Sequence, residues 1–184
     1  MLLTAARKLA ILDFDCESVA TGFGDPQWVP QKVTAIAWSW FGDERIESRL
    51  RLAGAEKMLT AFLKAYNAAE LIVGHYIRKH DLPLIDKECA ELGLPPLAPK
   101  LVQDTHADLI RTKGMKRDQD NLAEFLELAE KKQTMNQRQW EAAYAERGWP
   151  QIRARAESDV RQNKLMREAM LERGWLKPPR IWRP

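Results

Sequence analysis

Residues 8–18 read KLAILDFDCES, an apolar run that ends in a burst of carboxylates. Ala10, Leu12 and Phe14 recur at period two, so the run is expected to form a buried strand that delivers Asp15 and Glu17 together on its opposite face. Two like charges at a buried strand end lose hydration and repel each other, and the common remedy is a divalent cation between them. The pattern therefore points to a magnesium or manganese site whose remaining ligands lie elsewhere in the chain.

A chain of 184 residues can bury one sizeable core and is short for two. It has no apolar run of membrane-spanning length and no secretory pattern in MLLTAARK, which leads us to expect a cytoplasmic protein with no membrane partner. Cys16 and Cys89 have neither zinc-ligand spacing nor a disulfide framework around them, as suits a reducing compartment. The net charge of +3 is small, but its distribution is uneven. From Ile152 onward Arg153, Arg155, Arg161, Lys164, Arg167, Arg173, Lys177, Arg180 and Arg183 outnumber the acids, with Trp175 and Trp182 interleaved. Two readings of that segment stay open: phosphate pairing and base stacking on nucleic acid, or a solvated helix face followed by a tail that docks its tryptophans.

The hydrophobic periodicity predicts the order of elements. Residues 21–31 are rich in Gly and Pro and read as a loop, 32–41 alternate as a strand, and Gly42-Asp43 turns into a third strand over about 45–52. Met58, Leu59, Phe62, Leu63 and Tyr66 mark a helix over 55–69, and the short apolar run 71–74 a fully buried fourth strand. A helix over 82–92, with Pro83 in its first turn, precedes a fifth strand at 100–104. Helices are then expected at 105–111, 120–128, 137–146 and 150–172, and Pro178-Pro179 leaves the last ten residues extended. This is the pattern of a mixed-sheet α/β domain.

Three motifs in this frame resemble those of the DEDD superfamily of 3′-to-5′ exonucleases. The first is the strand ending in Phe14-Asp15-Cys16-Glu17-Ser18, which is similar to the family's D-x-E. The second is Gly74-His75-Tyr76-Ile77-Arg78-Lys79-His80-Asp81-Leu82-Pro83, similar to G-H-N-x-x-x-F-D-L-P, with Asp81 as its carboxylate. The third is Glu157-Ser158-Asp159-Val160, similar to the family's closing Asp-Val on a helix. Asp104-Thr105 and the segment 120–126 resemble intervening stretches, so the likeness runs from residue 8 to about 171.

The resemblance implies a ribonuclease-H-like fold with a five-stranded mixed sheet flanked by helices, an exonuclease-like domain over 1–174 and an extended basic and aromatic tail over 175–184. It implies two Mg2+ or Mn2+ ions, with Asp15 bridging them, Glu17 and Asp159 completing the water-activating site, and Asp81 holding the second ion largely through water. Hard cations favour oxygen ligands, and two of them roughly 3.5–4 Å apart can stabilise both the attacking and the leaving oxygen of phosphodiester hydrolysis. The implied partner is nucleic acid with a free, single-stranded 3′ end. The implied setting is a phage or bacterial enzyme of free-standing type, acting in the cytoplasm of a bacterium or bacterial host.

The chain departs from the family where water is activated. Family members carry a Tyr four residues before the last Asp or a His five before it; here Arg155 and Ala154 stand in those places. Arginine stays protonated and is no base near neutral pH, but it can position a scissile phosphate. His80, beside Asp81, is a candidate replacement, or else it only packs and hydrogen-bonds there. Tyr76 replaces the motif's usual Asn. The resemblance puts the loop after the first motif near the terminal bases, so Phe23 or Trp28 is a stacking wedge or a loop-packing residue. Arg161 and Lys164 either guide a nucleic-acid strand or form the solvent face of their helix. The rivals to an exonuclease are a non-catalytic nucleic-acid-binding module and a structure-specific endonuclease on the same fold.

Overall fold

The first strand among the described residues is buried on both faces, for opposite reasons. In the computed structural model, which describes residues 9–19, 32–110, 116–129 and 135–184, this strand is β1 (Ile11–Val19). Leu12, Phe14 and Cys16 enter the main apolar core, whereas Asp13 and Glu17 are buried as polar groups on the alternate positions. β2 (Lys32–Trp40) pairs with it antiparallel, and β3 (Glu47–Leu50) pairs antiparallel with β2, giving the expected hairpin. A 3-10 turn at Arg51–Ala53 leads to α1 (Ala55–Ala68). β4 (Leu71–Gly74) then pairs parallel with β1, α2 (Asp81–Glu91) follows, and β5 (Lys100–Asp104) pairs parallel with β4. Beyond it come α3 (Gln119–Phe125), α4 (Gln137–Ala145), the long α5 (Trp149–Glu172) and a last strand, β6 (Arg180–Trp182).

Among the described residues the sheet has six strands in the order β3-β2-β1-β4-β5-β6, one more than the five expected. The addition comes from the segment read as an extended tail. Arg180, Ile181 and Trp182 lie antiparallel to Val102, Leu101 and Lys100, and Trp182 packs into the main core. The helix expected over 105–111 does not form in the described part of that range, 105–110: residues 105–107 turn instead, and Leu109 forms a bridge with Leu176. No helix among the described residues is long and apolar enough to cross a membrane.

One face of the sheet is covered by α1 and α2. Phe62 sits amid Phe14, Trp38 and Tyr66, with ring centroids 4.9–5.9 Å apart, the tilted packing that aromatic quadrupoles favour. Gly74 ends β4 where a side chain has no room: a Cβ there would lie 2.7 Å from the Phe14 carbonyl oxygen. The other face meets α5, whose Ile152, Ala156 and Val160 pack on Ala35, Ala37 and Leu50. Ala37 and Ala35 are the β2 partners of Asp15 and Glu17. Small neighbours beside each acid leave the space into which α5 settles.

Candidate metal centre

α5 carries Arg155, Asp159, Asn163 and Arg167 at intervals of four, which places them on one face of the helix. That face lies on the polar side of β1 and runs antiparallel to it: Arg155 meets Glu17, and Asn163 reaches Asp13 four residues back along the strand. The consequence is a cluster of three acids. Asp15, Glu17 and Asp159 each place a carboxylate oxygen so that all three lie within 4.8 Å of one another. Glu17 and Asp159 are buried and Asp15 is half-buried. The register shifts between Glu17 and Ser18, a bulge that turns the strand just beyond the acids.

Arg155 is the counter-charge. Its Nε donates to Glu17 Oε1 at 2.7 Å, and its Nη2 is 3.9 Å from Asp159 Oδ2. Burial works to lower its pKa, but Glu17 and Asp159 outweigh it and hold the guanidinium above its ordinary value, so it stays charged. It lies 6.0 Å from the centroid of the Trp140 ring, whose Nε1 donates to Ser18 O at 3.0 Å. Trp140, which also packs with Tyr144 against the core under α5, thus braces the end of β1 beside the acids. Three oxygen donors at this spacing suit a hard divalent cation.

Asp81 does not join this group. It opens α2 and approaches β1 from the core side, where Cys16 lies. Its Oδ1 accepts from the Cys16 backbone N–H at 3.0 Å, and its Oδ2 is 3.2 Å from His80 Nδ1. The four acids therefore form a group of three, with Asp81 beside it at the backbone of Cys16, the residue between Asp15 and Glu17. The bond to Asp81 raises the pKa of His80, with burial opposing it. His80 is committed to this pair.

Two further acids organise the surroundings. Asp104 is fully buried and ties two loops together: its Oδ1 accepts from the backbone N–H of Tyr76, His106 and Ala107 at 2.9–3.0 Å, and its Oδ2 from that of Arg78 at 3.0 Å. Tyr76, where the family motif has Asn, is thereby held at a φ of 63°. His75 meets Thr105 Oγ1 at 2.9 Å, and that hydroxyl is 2.9 Å from Asn163 Oδ1, so the second motif is joined to α5 by hydrogen bonds. Asp13 is the residue that sequence reasoning missed. Period two from Asp15 and Glu17 places it on the same face, where it is 1% exposed, accepts from Asn163 at 3.4 Å, and keeps Oδ2 without a partner among the described residues. Burial lifts its pKa to about 6, against the lowering pull of Arg167 and Lys164.

The other site candidates lie apart. Lys164 Nζ donates to Ser39 Oγ at 2.9 Å and Asp43 O at 2.6 Å, at the opposite end of β1 from Glu17. Arg161 pairs with Glu157 at 3.7 Å and lines a groove with Lys164, Asp43 and Glu44. Phe23 and Trp28 lie outside the described residues. A second groove, of about 420 Å³, runs along the start of α5, lined by Leu50, Leu52, Arg147, Trp149, Arg153 and Glu157.

No family model and no curated protein matches the chain. Among solved structures it is similar to the family B DNA polymerase from the hyperthermophilic archaeon Pyrobaculum calidifontis, with a TM-score of 0.67 and 18% sequence identity over 90% of this chain. The fold is ribonuclease-H-like. The chain spans 25% of the polymerase chain, and at this identity the likeness shows the fold alone. Into that fold the sequence places a buried acidic cluster able to hold a metal ion.

Proposed function

We propose that the protein is a metal-dependent 3′-to-5′ exonuclease acting on DNA or RNA. The observation that carries the proposal is the meeting of Asp15, Glu17 and Asp159 around one point, from a strand end and a helix, on a fold shared with a DNA polymerase. Such a cluster of like charges is costly to keep unless it binds a cation. Asp15, Glu17 and Asp159 would hold one Mg2+ or Mn2+ ion, and Asp81 is the carboxylate left for a second. Bound there, divalent cations supply Lewis-acid stabilisation of the charge that develops in phosphodiester hydrolysis.

The chain's own residues do the rest. Arg155 stands where the family has Tyr, and its charged guanidinium is suited to bind and orient the scissile phosphate. The groove at the start of α5 offers Arg147 and Arg153 to the sugar-phosphate backbone and Trp149 to a base. A non-catalytic nucleic-acid-binding module is the second reading, and Arg155 favours it, since a fixed cation among the acids neutralises them without any metal. One assay separates the two. With 5′-labelled single-stranded DNA or RNA and Mn2+ or Mg2+, an exonuclease gives a ladder that shortens from the 3′ end and vanishes in Asp15→Ala. A gel shift without cleavage supports the binding module, and cuts in circular DNA support an endonuclease.

A further inference from the structure

The loop between β4 and α2 displays an aromatic side chain at the surface on a clamped backbone. Tyr76 is 42% exposed, yet it sits at a φ of 63°, in the left-handed region where a bulky residue is rarely found, and Asp104 Oδ1 holds its N–H there. The His106 ring stands edge-on to it with centroids 4.8 Å apart, and His75 stands edge-on to His106 at 5.4 Å. Basic groups flank these rings. Lys79 is exposed on the same loop, and Arg117 Nη1 donates to His106 O at 3.4 Å. Burial holds the His106 pKa below its ordinary value, and Arg117 and Lys79 add to that effect while Asp104 and Asp118 oppose it, so the ring behind Tyr76 is neutral. The nearby acids are engaged: Asp104 accepts from four backbone N–H groups, and Asp118 caps α3 through the Asn121 N–H. The patch also stands beside the acid cluster. Gly74, where the loop begins, lies against Phe14, the residue before Asp15, and His75 is joined through Thr105 to Asn163, one turn along α5 from Asp159.

We propose that Tyr76 is a stacking platform for one unpaired base of a single-stranded nucleic acid, with Lys79 and Arg117 binding the phosphates on either side of that base. A ring whose backbone is already fixed loses little freedom when a base covers it. Every base has a π face, so such a platform is indifferent to sequence but requires the base to be unpaired. Cations beside the ring add the phosphate attraction that draws any strand to it. An Asn at this position, as in the motif the loop resembles, offers hydrogen bonds but no ring to stack on. The inference rests on the nucleic-acid reading given above and not on turnover, so it holds for an exonuclease and for a binding module alike.

The test is fluorescence anisotropy of the full-length chain with a short fluorescein-labelled oligothymidylate in Ca2+, and with the same strand carrying one abasic site at each position in turn. The wild type is expected to bind the intact strand and to lose about tenfold in affinity when the abasic site falls at one particular position. Tyr76→Gly removes the ring and adopts the same φ without strain. It should bind the intact strand about tenfold more weakly and show no further loss at that position. Tyr76→Phe keeps the ring and should stay within about twofold of the wild type. Lys79→Ala should weaken binding to every strand alike and flatten its dependence on salt. A Tyr76→Gly chain that binds as tightly as the wild type, or that still loses affinity at the same abasic position, overturns the platform and leaves the nuclease reading intact. A wild type that binds no strand overturns the platform as well, and the cleavage ladder with Mn2+ then decides separately whether the nuclease reading falls with it.

Discussion

Asp13 is a carboxyl group held where water cannot reach it, and its ionisation must therefore work against the fold. Its pKa is about 6 in the folded chain and 3.8 in an unstructured one. Between those values the folded state binds more protons at Asp13 than the unfolded state, so the stability this one group contributes is full below about pH 4 and is lost as pH rises to about 6. The full loss is about 3 kcal/mol. Denaturation of the protein in EDTA across that range should show this decline, and Asp13→Asn should remove it; equal slopes in both proteins would contradict the assignment. Arg155 works in the opposite sense, as a cation already seated among the acids. Arg155→Ala removes a positive charge 2.7 Å from Glu17 Oε1 and should raise Mn2+ affinity by about tenfold or more while lowering turnover. Calorimetric titration gives the affinity directly, and an unchanged value would mean that Arg155 and the ion do not share the same carboxylates.

At the scale of elements, the sequence was most legible where apolar spacing was regular. β4, α1 and β5 fall where their periodicity places them, within a residue at each end. α5 was legible in extent but not in orientation. Its stripe of Arg155, Asp159, Asn163 and Arg167 is polar, and polar residues at helical spacing look like a solvent face until the facing strand proves polar too. Where a helix was expected over 105–111 a single turn forms at 105–107, for a similar cause: Asp104 caps that turn through His106 and Ala107, and its other bonds go to Tyr76 and Arg78, in a loop that only the fold brings near. β6 was hidden by brevity, being three residues that follow two prolines. Its contribution is measurable, since Trp182 is buried against the main core. Trp182→Ala should cost about 3 kcal/mol in urea denaturation, the low end for deleting a buried aromatic because the strand lies at an edge. A variant as stable as the wild type would show that β6 does not dock.

For the whole molecule, the sheet order makes β1 central and parallel to β4, so the ends of both strands and the start of α2 open on one side, with α5 laid across them. This topology is what converts three separated sequence motifs into neighbours. The spacing of the carboxylates at the end of β1 pointed to a cation there and the resemblance supplied the other two motifs, but the division of the four acids into three and one could be read only in the folded chain. The central claim is that Asp15, Glu17 and Asp159 hold a divalent cation, and crystals soaked in Mn2+ test it through anomalous scattering. The expected result is a manganese peak bounded by those three carboxylates. A structure at saturating Mn2+ with no peak there, and with Arg155 still bonded to Glu17, would contradict it.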